Sequence, residues 1–387
     1  MLAGLVVPRV RLEAEKTTAY LPVTSPASKR GRQRASHVLL LSSARSGSSL
    51  TGDIMNHDEG VYYVFEPLHN AESFMWKRLA RRNATLDDIE ESLRSTADLI
   101  LDAFFSCRFS DLDLSQLDMD FLQRNPETAE LASCVLTYLK WRAIQDEDDP
   151  QTTSIPEKLS QCIKSAETNC SQANTRLLKV IRVRVDNLEQ LMLRHPDLVV
   201  IVLIRDPRAS IWSRTKAFSE PWANHSSYFP QGLCRDIEND LSASVRLNTV
   251  YPGRIKIVRY ESLAENPILV SRCLYNYTGL AWSKNVQNLI EKQTFAGKYT
   301  TPVTNSEDDK VKDQTFTVVR EDSSQTAHAW RSDADWNFVI DVQKNCFGVL
   351  RQLGYRLFRF EQDLRQIPVL PGDMDPIQIN DDVLLCV

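Results

Sequence analysis

Five short runs carry most of the regular apolar pattern in this chain: Val38–Leu41, Val61–Phe65, Leu177–Val185, Leu198–Ile204 and Arg254–Tyr260. Each is too short for a globular helix and is bounded by polar or turn residues, which predicts strands. Leu198-Val-Val-Ile-Val-Leu-Ile204 is apolar throughout until Arg205 ends it, as expected of a strand buried on both faces. Helical patterns lie between the runs. One starts near Ser49, a long helical stretch covers about 71–175 with acidic loops such as Asp146–Asp149, and one covers Asp186–Pro196. Others follow Arg205 and begin near Pro267. Strands alternating with helices predict a parallel sheet with helices on both faces. No internal repeat is visible. Residues 1–36 are polar and basic and read as a tail or stem. Residues 300–327 read as a polar loop. From about 362 the chain has three Pro and several Asp and reads as loosely held, so 361–387 is taken as a C-terminal tail.

Two of the strand ends carry candidate chemistry. After Val38–Leu41 the chain reads Ser42-Ser-Ala-Arg-Ser-Gly-Ser-Ser49 and then turns helical. Unpaired N–H groups and the positive end of the dipole at such a helix start favour an anion. Gly47 allows close backbone approach, Ser48 and Ser49 add hydroxyl donors, and Arg45 adds a cationic fork. The loop lacks the GxxxxGK[ST] pattern that would place a Lys on a triphosphate and a hydroxyl on Mg²⁺. After Leu198–Ile204, Arg205 is followed by Asp206 as a helix N-cap and Pro207 at the first helical position. Ser213 lies eight residues past Arg205, so the two can converge on an anion at the carboxyl edge, where open α/β sheets bind ligands. Two anion loops on separate strands suit a bisphosphorylated nucleotide.

Composition narrows the class. The 387 residues carry 46 Lys+Arg against 51 Asp+Glu, a net charge of −5, with 42% apolar and 25% charged residues. These are globular averages and exclude a disordered chain, a collagen and a coiled-coil rod. The acidic balance argues against a general nucleic-acid binder. No stretch reaches the roughly 18 apolar residues needed to span a bilayer, and the opening MLAGLVVPRV is broken by Pro8 and makes a poor signal peptide. Eight Cys include no CxxC pair, which disfavours a zinc site. Four sequons, at Asn83, Asn169, Asn224 and Asn276, together with the even cysteine count, fit a lumenal protein with some disulfides; a cytosolic protein with reduced thiols fits the composition equally.

The motifs Arg45-Ser-Gly-Ser-Ser49, Phe65-Glu-Pro67 and Val202-Leu-Ile-Arg-Asp-Pro-Arg-Ala209 with Ser213-Arg214 resemble the Golgi carbohydrate sulfotransferases. The likeness is to the branch that sulfates the 6-hydroxyl of galactose, N-acetylgalactosamine or N-acetylglucosamine. It extends through Lys256–Pro267 and weakly to Ala329-Trp-Arg331 and Cys346–Tyr355, covering roughly 37–360. It implies an α/β fold, a P-loop-like parallel sheet flanked by helices in a three-layer sandwich, with residues 37–360 as the sulfotransferase domain. It also implies 3′-phosphoadenosine 5′-phosphosulfate (PAPS) as sulfuryl donor and no metal. The 5′-phosphosulfate loop falls on Arg45, Ser46, Gly47, Ser48 and Ser49, and the 3′-phosphate site on Arg205 and Ser213. Trp330 and Arg331 match a late segment that helps hold the nucleotide. The resemblance implies a glycan or proteoglycan acceptor, no nucleic acid, and a location in the Golgi lumen. Family members usually carry an N-terminal membrane anchor, and no segment of this chain reads as one. A homo-oligomer is left open.

Sulfuryl transfer needs in-line positioning, stabilisation of developing charge and a base for the attacking hydroxyl. Arg45 is the candidate for charge stabilisation. Glu66, just past the second strand, is the candidate base, with His69 as runner-up. Lys179, Arg182 and Arg184 are expected on one strand, projecting from one face or simply solvated. The competing readings are a P-loop kinase or phosphotransferase, disfavoured by the missing GK[ST], and a non-catalytic glycan-binding relative, disfavoured by the intact Arg45, Glu66, Arg205 and Ser213.

Overall fold

A computed structural model describes residues 34–71, 86–113, 117, 119–142, 157–217, 229–298, 318–366 and 381–385. The strands are β1 (His37–Ser42), β2 (Val61–Phe65), β3 (Thr175–Val180), β4 (Val199–Ile204) and β5 (Ile255–Arg259). They form one sheet in the order β2-β3-β1-β4-β5, and every pairing is parallel. Side chains alternate between two cores. Leu39, Leu41, Val64, Leu178, Val200, Val202 and Ile257 enter the core on one face. Val38, Leu40, Tyr63, Leu177, Ile201, Leu203 and Val258 enter the core on the other. Each face is covered by helices, giving the expected three-layer α/β sandwich. The near-continuous apolar runs follow from this double burial.

Three expectations differ from what is observed. The run 177–185 is not one strand: β3 stops at Val180, the chain bends at Ile181-Arg182, and a 3₁₀ turn spans Val185–Leu188. The apolar pattern overruns the strand because Val183 and Val185 stay buried in the core after the chain has left the sheet. Within 300–327, residues 300–317 lie outside the described residues, but Ser323–His328 is a helix. Asp322 caps it by accepting from Gln325 N (3.0 Å), and Ala327 is buried beneath a polar outer face. Past 362, Leu364 is fully buried, as is Val383, and Leu385 N donates to Ile257 O on the edge strand β5 (3.1 Å), so these residues are held.

The described helices of the 71–175 stretch are Leu86–Phe105, Met119–Leu122, Pro126–Arg142 and Glu157–Gln172, while Asp146–Asp149 lies outside the described residues. Disulfides join Cys107 to Cys170, Cys134 to Cys162 and Cys234 to Cys346, as expected of a chain with some disulfides. Among the described residues no helix is long and apolar enough to cross a membrane. Asn169 and Asn276 are exposed; Asn83 and Asn224 lie outside the described residues.

Candidate active site

The site begins where β1 lies against β4, with Ser42 beside Leu203. This register places the two loops at the strands' carboxyl ends side by side. The helix Ser48–Met55 starts from Gly47, which sits at φ 84° and has no side-chain cap. The first intrahelical bond from this end, Thr51 N to Gly47 O, is 3.1 Å, which leaves the amides before it without helical partners. Gly47 is required twice over. Its φ suits glycine, and a Cβ there would come within 2.2 Å of the Tyr260 ring. Arg45 also has positive φ, at 65°.

Arginines from beyond β4 shape this loop. Arg214 Nε and a terminal nitrogen donate to Ala44 O at 3.1 and 3.0 Å, and Arg205 donates to Arg45 O at 3.0 Å. With both carbonyls drawn toward arginines, the planar peptides turn the N–H groups of Arg45 and Ser46 the opposite way. Arg45 Nε donates to Ser213 Oγ at 3.1 Å. The two expected anion sites are therefore one continuous surface, with Arg45 reaching into what was read as the second. Asp206 caps its helix as expected, accepting from Arg208 N at 2.9 Å, and its carboxylate also holds the buried Arg208 guanidinium.

On the other flank β2 pairs with β3, placing Phe65 beside Lys179. Glu66 follows at φ 50°, with its N–H on Lys179 O at 3.0 Å. The Glu66 carboxylate is 2% exposed; Oε1 pairs with Lys179 Nζ, and Oε2 accepts from Arg182 at 2.8 Å. Burial pulls the Lys179 ammonium below its ordinary value, and the Glu66 partner works in the opposite direction. Lys179 Nζ also lies 4.4 Å from the Phe65 ring centroid. Arg184 does not join this group. It binds Asp240 at 2.8 Å behind the bend. The expected shared face is not formed, and the two-residue period of a strand would itself set Lys179 opposite Arg182 and Arg184. His69 N donates to Glu66 O at 3.1 Å, and the His69 ring packs 4.1 Å from that of Phe121.

Both flanks open into one cleft of about 300 Å³. Its walls include Arg45, Gly47, Ser48, Ser49, Glu66, His69, Lys179, Arg182, Arg205 and Ser213. Lys216 and Arg320 add to the positive charge, so six Lys and Arg side chains face Glu66 and Asp333. Two expected residues stand apart from these walls. Ser46 is fully buried, with Oγ 2.7 Å from Ser43 Oγ, so its side chain supports the loop from behind. Arg331 does not face the cleft: its guanidinium is tied to Leu364 O (3.0 Å) and Asp363 O (3.1 Å) and lies over the Phe358 ring. Its neighbour Trp330 does line the cleft.

Sequence reading passed over Tyr260, Trp212, Lys216 and Arg320. Tyr260 was legible as a third strand end on the same edge, directly after β5. Trp212 and Lys216 flank Ser213 on one helix. Arg320 gave no signal, because it sits in a polar stretch. Among the described residues no group of three or more His, Cys, Asp or Glu is placed to hold a metal ion.

Carbohydrate sulfotransferase 1 of Mus musculus is 25% identical over 361 residues, covering 86% of this chain and 82% of the relative. Carbohydrate sulfotransferase 3 of Mus musculus is 25% identical over 367 residues, covering 86% and 71%. The solved sulfotransferase domain from the curacin biosynthetic pathway superposes with a TM-score of 0.41 at 15% identity, covering 82% of this chain and 98% of that one. The sequence model described as the sulfotransferase family matches residues 38–284, which run from β1 through β5 and carry both flanks of the cleft. The chain belongs to the sulfotransferase family.

Proposed function

We propose that this protein is a carbohydrate sulfotransferase that moves a sulfuryl group from PAPS to a hydroxyl of a glycan or proteoglycan. The reading extends to the 6-hydroxyl of galactose or an N-acetylhexosamine as acceptor, and to the Golgi lumen as location. The observation that carries it is one cation-rich cleft lined by both an uncapped helix start and a buried carboxylate at the edge of a parallel sheet. The relatives named carbohydrate sulfotransferases support the acceptor class. The three disulfides favour an oxidising compartment.

The cleft suits the donor chemically. Arg205 Nε is buried without a partner, an unsatisfied donor that an anion would complete. When bound, PAPS supplies the sulfuryl group and leaves as adenosine 3′,5′-bisphosphate. Gly47, Ser48 and Ser49 then hold the 5′ anion at the helix start, and Arg45 offsets charge developing beside it. Arg205 and Ser213 hold the 3′-phosphate. Glu66 accepts the proton of the attacking hydroxyl, which becomes acidic as its oxygen bonds to sulfur. Lys179 and Arg182 position the carboxylate, each fixing one oxygen. Lys179 also places a positive charge between the base and the sulfuryl loop.

Calorimetry in metal-free buffer tests the donor reading. Adenosine 3′,5′-bisphosphate is expected to bind. Tight binding of Mg–ATP with no binding of the bisphosphate would replace this reading with a phosphotransferase.

A further inference from the structure

We infer that Cys273 and Cys386 form a fourth disulfide, which fastens the segment Asp381–Leu385 over the open edge of the sheet. The inference stands apart from the donor reading.

The edge needs covering. β5 pairs with β4 on one side and ends the sheet on the other. An outer row of unpaired N–H and C=O groups invites association with another chain. Asp381–Leu385 lies along that row. Leu384 bridges Ile257 in the parallel sense, and Leu385 N donates to Ile257 O at 3.1 Å. Asp382 O accepts from Lys256 Nζ at 2.6 Å and from Asn248 Nδ2 at 3.3 Å. Val383 is buried, and Leu384 and Leu385 pack on the cores of opposite faces. The segment thus extends the sheet by one position beyond β5. So short a segment has little hydrogen bonding to offset the entropy of being ordered, and a covalent tether removes part of that cost.

The cysteines supply one. Cys107–Cys170, Cys134–Cys162 and Cys234–Cys346 take six of the eight cysteines. Among the described residues no cysteine is free, and Cys273 is disulfide-bonded. Cys386 is the cysteine of the sequence left to pair with it, and it lies outside the described residues. Position agrees with the pairing. Cys273 is half-buried on the helix Pro267–Thr278, beside the buried Leu274. Leu385 packs against the core that holds Leu274, so the described chain reaches the core under that helix one residue before Cys386. Both ends of the clasp also brace the cleft from outside. β5 leads directly into Tyr260 at the cleft wall, and Tyr275, on the Cys273 helix, donates its hydroxyl to Ile54 O at 2.8 Å, in the helix that starts from Gly47.

The bond forms by thiol–disulfide exchange with a disulfide-bearing oxidoreductase. The two thiols lose two protons and two electrons as their sulfurs join, and the S–S bond of the oxidoreductase is cleaved to two thiols.

The test is disulfide mapping of the full chain, purified without reductant and alkylated before digestion, with melting of the wild type against Cys273→Ser, Cys386→Ser and the double variant. The expected result is a linked pair of peptides carrying Cys273 and Cys386, separated by reduction, with neither cysteine alkylated. Cys386→Ser should open Cys273 to alkylation and lower the melting temperature by roughly 3–6 °C. Cys273→Ser should lower it equally, and the double variant should fall no further than either, because the two residues act as one bond. Alkylation of both cysteines in the wild type, or a reducible dimer of chains joined through Cys273, overturns the inference. A linked pair with all three variants melting within about a degree of the wild type overturns the clasp, since the bond then fastens nothing. Where a variant fails to fold, mapping of the wild type decides alone.

Discussion

Arg45 and Glu66 both hold positive φ, at 65° and 50°, a conformation that costs a non-glycine residue on the order of 1–3 kcal/mol. Each is the turn residue that aims a side chain into the cleft, and each is kept there by bonds from other strands. The motif around Glu66 was legible in the sequence; its partners were not. Lys179 and Arg182 are three apart, which a strand would send to opposite faces, and only the bend after Val180 lets both reach one carboxylate.

Separate roles predict separate failures. Glu66→Gln keeps the size and an acceptor for Lys179, so bisphosphate affinity should hold while turnover falls roughly 10²–10⁴-fold. Arg205→Ala should instead weaken bisphosphate binding by about 1.5–3 kcal/mol, since it removes the proposed phosphate contact and frees the Arg45 carbonyl. Near wild-type turnover in Glu66→Gln would remove Glu66 as the base and bring His69 forward.

Asp240 offers a test by pH. Burial pushes its carboxyl up to about 6, although Arg184 and the Val185 amide work against the shift. The folded state then holds the proton more tightly than the unfolded chain, so ionising Asp240 lowers stability as pH rises through about 6. Urea denaturation from pH 4 to 7 should show Asp240→Asn gaining on the wild type as pH increases. A difference independent of pH would contradict this.

At the scale of elements, the strand–loop–helix unit from β1 to Met55 holds the site, and Gly47 is its tightest point. Gly47→Ala must move the Tyr260 ring as well as adopt an unfavourable φ. Loss of bisphosphate binding together with a lower melting temperature is expected, whereas Ser46→Ala, behind the loop, should disturb binding less. Equal effects would mean the close approach of Tyr260 does not define the site. The strand-to-helix junctions were readable because short apolar runs ended at small or charged residues. The helix Ser323–His328 was not, because six largely polar residues give no periodic signal, and its place is set by tertiary partners such as Ser323 Oγ on Ala264 O at 2.6 Å. The turn of Arg331 away from the cleft was hidden for a related reason. A match to a late motif does not reveal that the C-terminal residues fold back and take its guanidinium.

For the whole molecule, the order β2-β3-β1-β4-β5 is the decisive fact. Parallel strands and covering helices were legible; their order was not, because pairing depends on contacts far apart in sequence. That order sets the Glu66 pair on one side of β1 and the Arg205 pair on the other. The three described disulfides join segments packed in the core on one face of the sheet. Cys234–Cys346 closes 112 residues and links the helix Pro230–Val250 to the end of Trp336–Asn345. Replacing both cysteines with Ala should lower stability by about 2–5 kcal/mol, read as a fall in melting temperature. An unchanged melting curve would show that packing alone holds those helices.

Transfer of a sulfuryl group to a sugar is tested best by direct incubation. The purified chain is mixed with donor labelled in its sulfuryl group and a panel of galactose- and hexosamine-terminated oligosaccharides, without added metal. Label is expected on at least one glycan, and is expected to be lost with Glu66→Gln. Bisphosphate binding by calorimetry without label on any sugar, in the wild-type protein, would contradict it.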